Sequence, residues 1–159
     1  MKRSLILLLS FIITASLFSA CGNSENKDSS IDVSAFAEEL LDCGAFSETL
    51  EPVDSDAGLR LYGLDPSAND APAESLFYMS AGATANELTV FTAADEAGAK
   101  VIADKATERL NYLKRSFADY NPGEVAKLDE CIIKTSGVYV LFLVADDYTA
   151  AQAVVERYF

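Results

Sequence analysis

Apolar residues beyond residue 31 recur with two different periods. Val33, Phe36, Ala37, Leu40 and Leu41 fall three and four apart, so they line one face of a helix, with Glu38, Glu39 and Asp42 on the wet side. Asp32 precedes this run as an N-cap and Gly44 follows it as a stop. After a turn-rich stretch around Pro52 and Gly58, residues 59–64 form a short apolar piece suited to one helical turn or a short strand. Residues 65–72 read as a loop rich in Pro, Asn, Asp and Ala.

Residues 76–80 and 88–92 then read as two strands joined by the small-residue run Ala81-Gly82-Ala83-Thr84-Ala85-Asn86-Glu87. Thr92-Ala93-Ala94-Asp95 has capping-box spacing and predicts the start of a helix. Ile102, Ala106, Leu110, Leu113, Phe117 and Tyr120 form its apolar stripe, and Asn121-Pro122-Gly123 ends it. At 1.5 Å per residue this helix is about 40 Å long and is expected to lie across the sheet.

Residues 130–135 and 138–145 read as a second pair of strands with Ser136-Gly137 as a two-residue turn. Every residue from 138 to 144 is apolar, which predicts a central strand covered on both faces. Asp146 and Asp147 are expected to cap a last helix whose inner stripe is Ala151, Val154, Val155 and Tyr158. The expected fold is α+β: a two-layer sandwich with a four-stranded, mainly antiparallel sheet and helices packed on it, in the order α-ββα-ββα. With 128 residues at 32–159 and half of the whole chain apolar, one domain with its own core is expected there.

The N-terminal end has another character. Lys2 and Arg3 precede an apolar run at 5–13, and small residues lead to Ala20. These are the three parts of an export signal, and the run is shorter than the roughly 20 apolar residues a membrane span requires. Leu17-Phe18-Ser19-Ala20-Cys21 looks like a bacterial lipobox, with Phe18 at the usual aliphatic position. The expectation is a signal peptide at 1–20 and a lipidated Cys21 that anchors the chain to the outer, extracytoplasmic face of the cell membrane. More than one acyl chain on Cys21 would make that attachment stable, since one chain binds only marginally. Residues 22–30 contain no apolar side chain and read as part of a tether spanning 21–31. A coil of about ten residues would hold the domain on the order of 18 Å from the bilayer.

Loss of Lys2 and Arg3 with the leader leaves 10 basic residues against 25 acidic ones. Such a surface repels nucleic acid, so no nucleic-acid partner is expected. The chain has no histidine, which removes serine-histidine and cysteine-histidine nucleophile pairs and imidazole metal ligands. Asp54-Ser55-Asp56-Ala57-Gly58 with Asp65 has the outline of a calcium loop. Gly58 and Leu59, however, stand where that loop requires a ligand and a glycine, so a solvated acidic loop is the reading. No metal or cofactor is expected. The acidic pairs Asp129-Glu130 and Asp146-Asp147 sit where capping and solvation are their default roles, and no catalytic residue is assigned.

Lys100, Lys105, Arg109, Lys114 and Arg115 make the long helix partly basic, suited either to an anionic partner or to neutralising the chain's own carboxylates. Cys43 and Cys131 admit two readings, a bridge worth about 4 to 5 kcal/mol by loop closure or two buried free thiols. The candidate contact site is the loop after the first strand of the sheet: Tyr78, Ser80, Gly82, Thr84 and Asn86. Gly82 allows a close backbone approach there, and Thr84 and Asn86 offer polar contacts.

Leu61-Tyr62-Gly63-Leu64, the run from Tyr78-Met79-Ser80-Ala81-Gly82-Ala83-Thr84-Ala85 to Leu88, residues 117–122, Gly137-Val138-Tyr139-Val140 and the closing Tyr158-Phe159 carry a family resemblance. The chain resembles small lipoproteins of clostridia and related Gram-positive bacteria grouped as domain of unknown function 4358. The resemblance implies a lipid-anchored exported protein and brings no activity, substrate or catalytic residue; Cys43 and Cys131 are not part of it. The expected role is a non-catalytic binding or accessory module for another envelope protein. The competing classes are a small-ligand receptor using residues 81–86 and a carboxylate- or metal-dependent enzyme.

Overall fold

The computed structural model describes residues 30–69 and 71–159, so the expected leader, Cys21 and the expected tether as far as residue 29 lie outside the described residues. Helix α1 is Val33–Asp42, and Asp32 caps it by accepting from the Ala35 amide at 3.0 Å. Strand β1 is the two-residue Glu51–Pro52, and helix α2 is Ser55–Leu61. Strands β2 (Glu74–Met79) and β3 (Glu87–Thr92) lead to helix α3 (Glu96–Tyr120) and the short α4 (Gly123–Asp129). Strands β4 (Ile132–Ser136) and β5 (Tyr139–Val144) precede the final helix α5 (Tyr148–Tyr158).

The arrangement is α+β around one open, antiparallel sheet of order β1-β2-β3-β5-β4. It has five strands where four were expected. The fifth, β1, is short and contains Pro52, which lacks the donor an inner strand requires and is tolerated at this edge beside Tyr78. Apolar alternation cannot reveal a strand of two residues.

Nor are there two layers. Leu88, Val90, Leu141 and Leu143 point to a core shared with Phe36 and Leu40 of α1 and Val154 of α5. The residues between them, Phe91, Val140, Phe142 and Val144, point to a second core with Leu59, Tyr62, Phe77, Ile102 and Leu113. Helices α1 and α5 therefore cover one face of the sheet, and α2, α3 and α4 the other. The physical reason is the doubly apolar β5, which lies inside the sheet beside β3 and β4 and needs cover on both sides.

Three local expectations shift. Thr92 remains in β3, opposite Glu74 and Tyr139, so the expected capping box does not form and Asp95 caps α3 by accepting from the Gly98 amide at 2.7 Å. Ser136 pairs with Tyr139, so the tight turn is Gly137-Val138, one residue later than expected, with Gly137 at φ +55°, a conformation that favours glycine. The calcium-like segment opens α2, with Asp54 accepting from the Ala57 amide as its N-cap. The bridge weighed between Cys43 and Cys131 is also absent. Both thiols are free, Cys43 against the α1/α5 core and Cys131 against the α3 core, on opposite faces of the sheet.

Candidate functional site

The loop between β2 and β3 is closed by a backbone bond from the Ser80 amide to the Asn86 carbonyl, 3.0 Å. Its small side chains let it turn tightly, and its polar side chains turn inward onto one carboxylate, Glu48. Ser80 Oγ donates to Glu48 Oε2 at 2.9 Å and accepts from the Gly82 amide at 3.0 Å. Thr84 Oγ1 donates to Glu48 Oε1, and Asn86 Nδ2 donates to the same oxygen at 2.9 Å.

Asn86 is the hinge of a wider network. Its Nδ2 also reaches Asp146 Oδ2 at 2.9 Å, and its Oδ1 accepts from Lys127 Nζ at 3.0 Å. Lys127 in turn bonds Asp146 Oδ1 at 2.6 Å and Glu124 Oε2 at 2.8 Å. Glu124 Oε2 accepts from the Ala85 amide at 2.8 Å, and Asn121 Nδ2 donates to the Ala83 carbonyl at 3.3 Å. The Ser47 amide and hydroxyl both donate to Asp146 Oδ2, at 2.8 and 2.7 Å. Residues 47–48, 80–86, 121–127 and 146 thus meet at one end of the sheet, with Glu124 and Asp146 paired to the Lys127 ammonium and Glu48 joined to it through Asn86.

The donors set the charge states. Thr84 is foremost in holding Glu48 below the usual carboxylate range, against burial, and Ser80 and Asn86 add to it. Burial would raise the Asp146 pKa, but Lys127, Ser47 and Asn86 outweigh it and hold the group well below its ordinary value. Burial likewise opposes the charge on Lys127, and Asp146 and Glu124 more than restore it. All three groups are therefore ionised around neutral pH and act as fixed acceptors and a fixed donor.

Of the five predicted contact residues, the structure brings four together. Ser80, Thr84 and Asn86 converge on Glu48, and Gly82 sits at the exposed tip between Ala81 and Ala83. Tyr78 does not join them; it lies in β2 opposite Pro52 and Leu88 and packs against the α1/α5 core. Glu48, Glu124, Lys127 and Asp146 escaped the sequence reading as members of the site. For Glu124 and Lys127 a signal existed: Pro122 before an acidic first turn and a basic last turn marks a short helix. Glu48 lies 36 residues from Thr84, and nothing local announces that contact.

Directly after Asn86, Glu87 begins a second polar group beneath α3. Its Oε2 accepts from Arg109 Nη2 at 2.8 Å, and its Oε1 accepts from the Tyr62 hydroxyl at 2.7 Å. Burial, then the Glu87 charge, pushes the Tyr62 pKa far up. Burial disfavours the Arg109 charge, and Glu87 more than compensates. Tyr62 also stacks edge-on against Phe91 and Phe142, which fixes the hydroxyl in place.

Fold and site together define an α+β domain with helices on both faces of an antiparallel sheet and a small-residue loop clamped at one sheet end. A family model described as a domain of unknown function, DUF4358, matches residues 42–145, which include the loop and three of its four clamping charges, Glu48, Glu124 and Lys127, with Asp146 one residue beyond. The chain belongs to that family. No curated protein and no solved structure matches it.

Proposed function

We propose that the chain is a lipid-anchored module on the outer face of the cell membrane that acts by docking another envelope protein, with the tip Ala81-Gly82-Ala83 as its contact. The observation that carries this reading is the inward direction of Ser80, Thr84 and Asn86. Their hydrogen-bonding capacity holds the loop onto Glu48, and three exposed small residues are left on a rigid base. Such a tip lets a partner's backbone approach closely at little ordering cost.

Catalysis is less well supported by the same network. A general acid or base works best with a pKa near the operating pH, and Glu48, Asp146 and Lys127 are all moved away from neutrality. The anchor is supported by the lipobox at Cys21 and by the polar tether that follows it. Among the described residues, no helix is long and apolar enough to cross a membrane.

The test is in-cell photocrosslinking from position 83, comparing the wild-type leader with Cys21→Ala. One recurrent crosslinked protein that disappears in Cys21→Ala is the expected result. Hydrolysis of a peptidoglycan, peptide or phosphoester substrate that Asp146→Asn abolishes would overturn the docking reading. Absence of palmitate incorporation into the wild-type chain would overturn the anchor alone.

A further inference from the structure

We propose that the cleft between α2 and α3 binds a small organic anion, a phosphate monoester or a carboxylate carried on an apolar or aromatic body. The cleft is lined by Arg60, Leu61 and Tyr62 from the end of α2 and by Arg109, Tyr112 and Arg115 from α3, and is an open groove of about 510 Å³. That volume lies within the roughly 300–1,000 Å³ of small-molecule sites. Three arginines converge here although the chain carries 25 acidic residues against 12 basic ones.

The arginines are not spent on one another's neighbours. Arg109 is 9 % exposed and is locked by Glu87 through Nε and Nη2, while its Nη1 bonds no described residue. A guanidinium held in place in this way presents a preorganised donor. Arg115 is exposed and has no ion-pair partner among the described residues, and Arg60 meets Asp56 only at 3.9 Å with both side chains well solvated. Such a contact contributes little. The one carboxylate on the cleft wall, Glu108, is taken by Lys105 at 2.8 Å. The Glu87 charge offsets that of Arg109, so the excess positive charge comes from Arg60 and Arg115.

The apolar half of the ligand follows from the rest of the lining. Leu61 and Tyr112 are 46 % and 56 % exposed, and the Tyr112 ring lies 5.8 Å from the Arg109 guanidinium carbon. An aromatic or aliphatic body can lie on these two side chains while its anionic end reaches Arg109 Nη1 and Arg115. The cleft's lining shares no residue with the 80–86 loop, so this inference does not depend on the docking reading.

The test is calorimetric titration of the full-length chain in neutral detergent with phenyl phosphate and, separately, benzoate at constant ionic strength. Because the chain has no tryptophan, Tyr112→Trp supplies a single indole reporter in the cleft for a parallel fluorescence titration. Saturable one-to-one binding is expected, weakened about tenfold by Arg115→Gln, as loss of a charged hydrogen bond implies, and by a smaller, salt-dependent factor by Arg60→Gln, which removes only neighbouring positive charge. Both variants alter exposed side chains, and their unchanged thermal melts exclude misfolding as the cause. The tighter of the two probes tells phosphate from carboxylate. No saturable binding of either probe, binding that both variants leave intact, or binding to phosphatidylglycerol vesicles alone would each overturn the proposal.

Discussion

Glu87 and Arg109 form an ion pair, 2.8 Å from Oε2 to Nη2, in which the side chains are 3 % and 9 % exposed. It joins the first residue of β3 to the middle of α3 across a core that is otherwise aromatic and aliphatic. A paired charge in such a place adds little over an apolar pair, but removing one partner strands the other without water.

Arg109→Met is therefore expected to lower the unfolding free energy by about 3–5 kcal/mol, a large part of the total for a domain of this size. Glu87→Gln should also destabilise, because it leaves the guanidinium without its counter-ion. The double variant should be more stable than the sum of the two losses predicts. Urea unfolding of all four chains in a double-mutant cycle measures this coupling directly.

Gly58 lies inside α2, where alanine would ordinarily gain up to about 1 kcal/mol in helix propensity. Here a Cβ would stand 2.4 Å from the ring of Phe77, which is itself fully packed. Overpacking wins, and Gly58→Ala should cost about 1–3 kcal/mol. Gly98, in the first turn of α3, gives the contrast. A Cβ there would meet Asp95 Oδ1 at 3.4 Å and Ala93 Cβ at 3.5 Å, ordinary contacts. Gly98→Ala should stabilise by about 0.4–1 kcal/mol, mainly by restricting the unfolded chain. Thermal melts of the two single variants give opposite signs if the packing argument holds.

The same two glycines mark where the sequence is legible. Periodicity revealed α1, the hairpin strands, α3 and α5, because each repeats its apolar spacing over two turns or several alternations. It could not reveal β1, two residues long, or α4, seven residues long, since neither repeats a period. Gly58 read as a turn glycine because its actual constraint, the Phe77 ring, comes from 19 residues further along. The loop at 80–86 was recognisable from its composition, whereas its clamp was not. Glu48, Glu124 and Asp146 reach it from three other segments, and long-range polar contacts leave no local pattern. The disposition of helices on both faces was implicit in the wholly apolar β5 and in the alternation of β3.

Stability should fall in acid chiefly through the loop clamp. The folded pKa of Asp146 lies well below its ordinary 3.8, and that of Glu48 lies below its ordinary 4.5. A carboxylate whose folded pKa is depressed stabilises the fold above its unfolded pKa and loses that contribution as pH falls through the folded value. Unfolding free energy should therefore decline as pH drops below about 4.5 and continue to decline beneath 3.8. Asp146→Asn removes the larger depression and should flatten this limb while lowering stability at neutral pH. Lys127, with a raised pKa, has the opposite sign: its contribution is whole below its ordinary 10.5 and is lost as pH rises through the folded value. Denaturation midpoints from pH 2 to pH 7 for wild type and Asp146→Asn test the acid limb.

The thiols provide a separate test of both the fold and the anchor. Burial, partly countered by the Leu143 backbone, pushes the Cys131 pKa up to about 12. At pH 8 that leaves about one thiol in ten thousand as the reactive thiolate, so Cys131 should resist alkylation while the chain is folded. Cys43 donates to the Leu40 carbonyl at 3.1 Å at the end of α1; both thiols are half-buried, so it is the raised Cys131 pKa that should make Cys43 react first. Without reductant, unfolding in guanidinium should make both available, because no bridge joins them. Cys21 then decides the total. The chain has three cysteines, and a thioether-linked lipid on Cys21 leaves two to be alkylated, whereas an unmodified chain gives three. Intact-mass counting of alkylated sites, folded and unfolded, separates these outcomes. No labelling without reductant would establish a Cys43–Cys131 bridge and contradict the placement of the two thiols on opposite faces of the sheet.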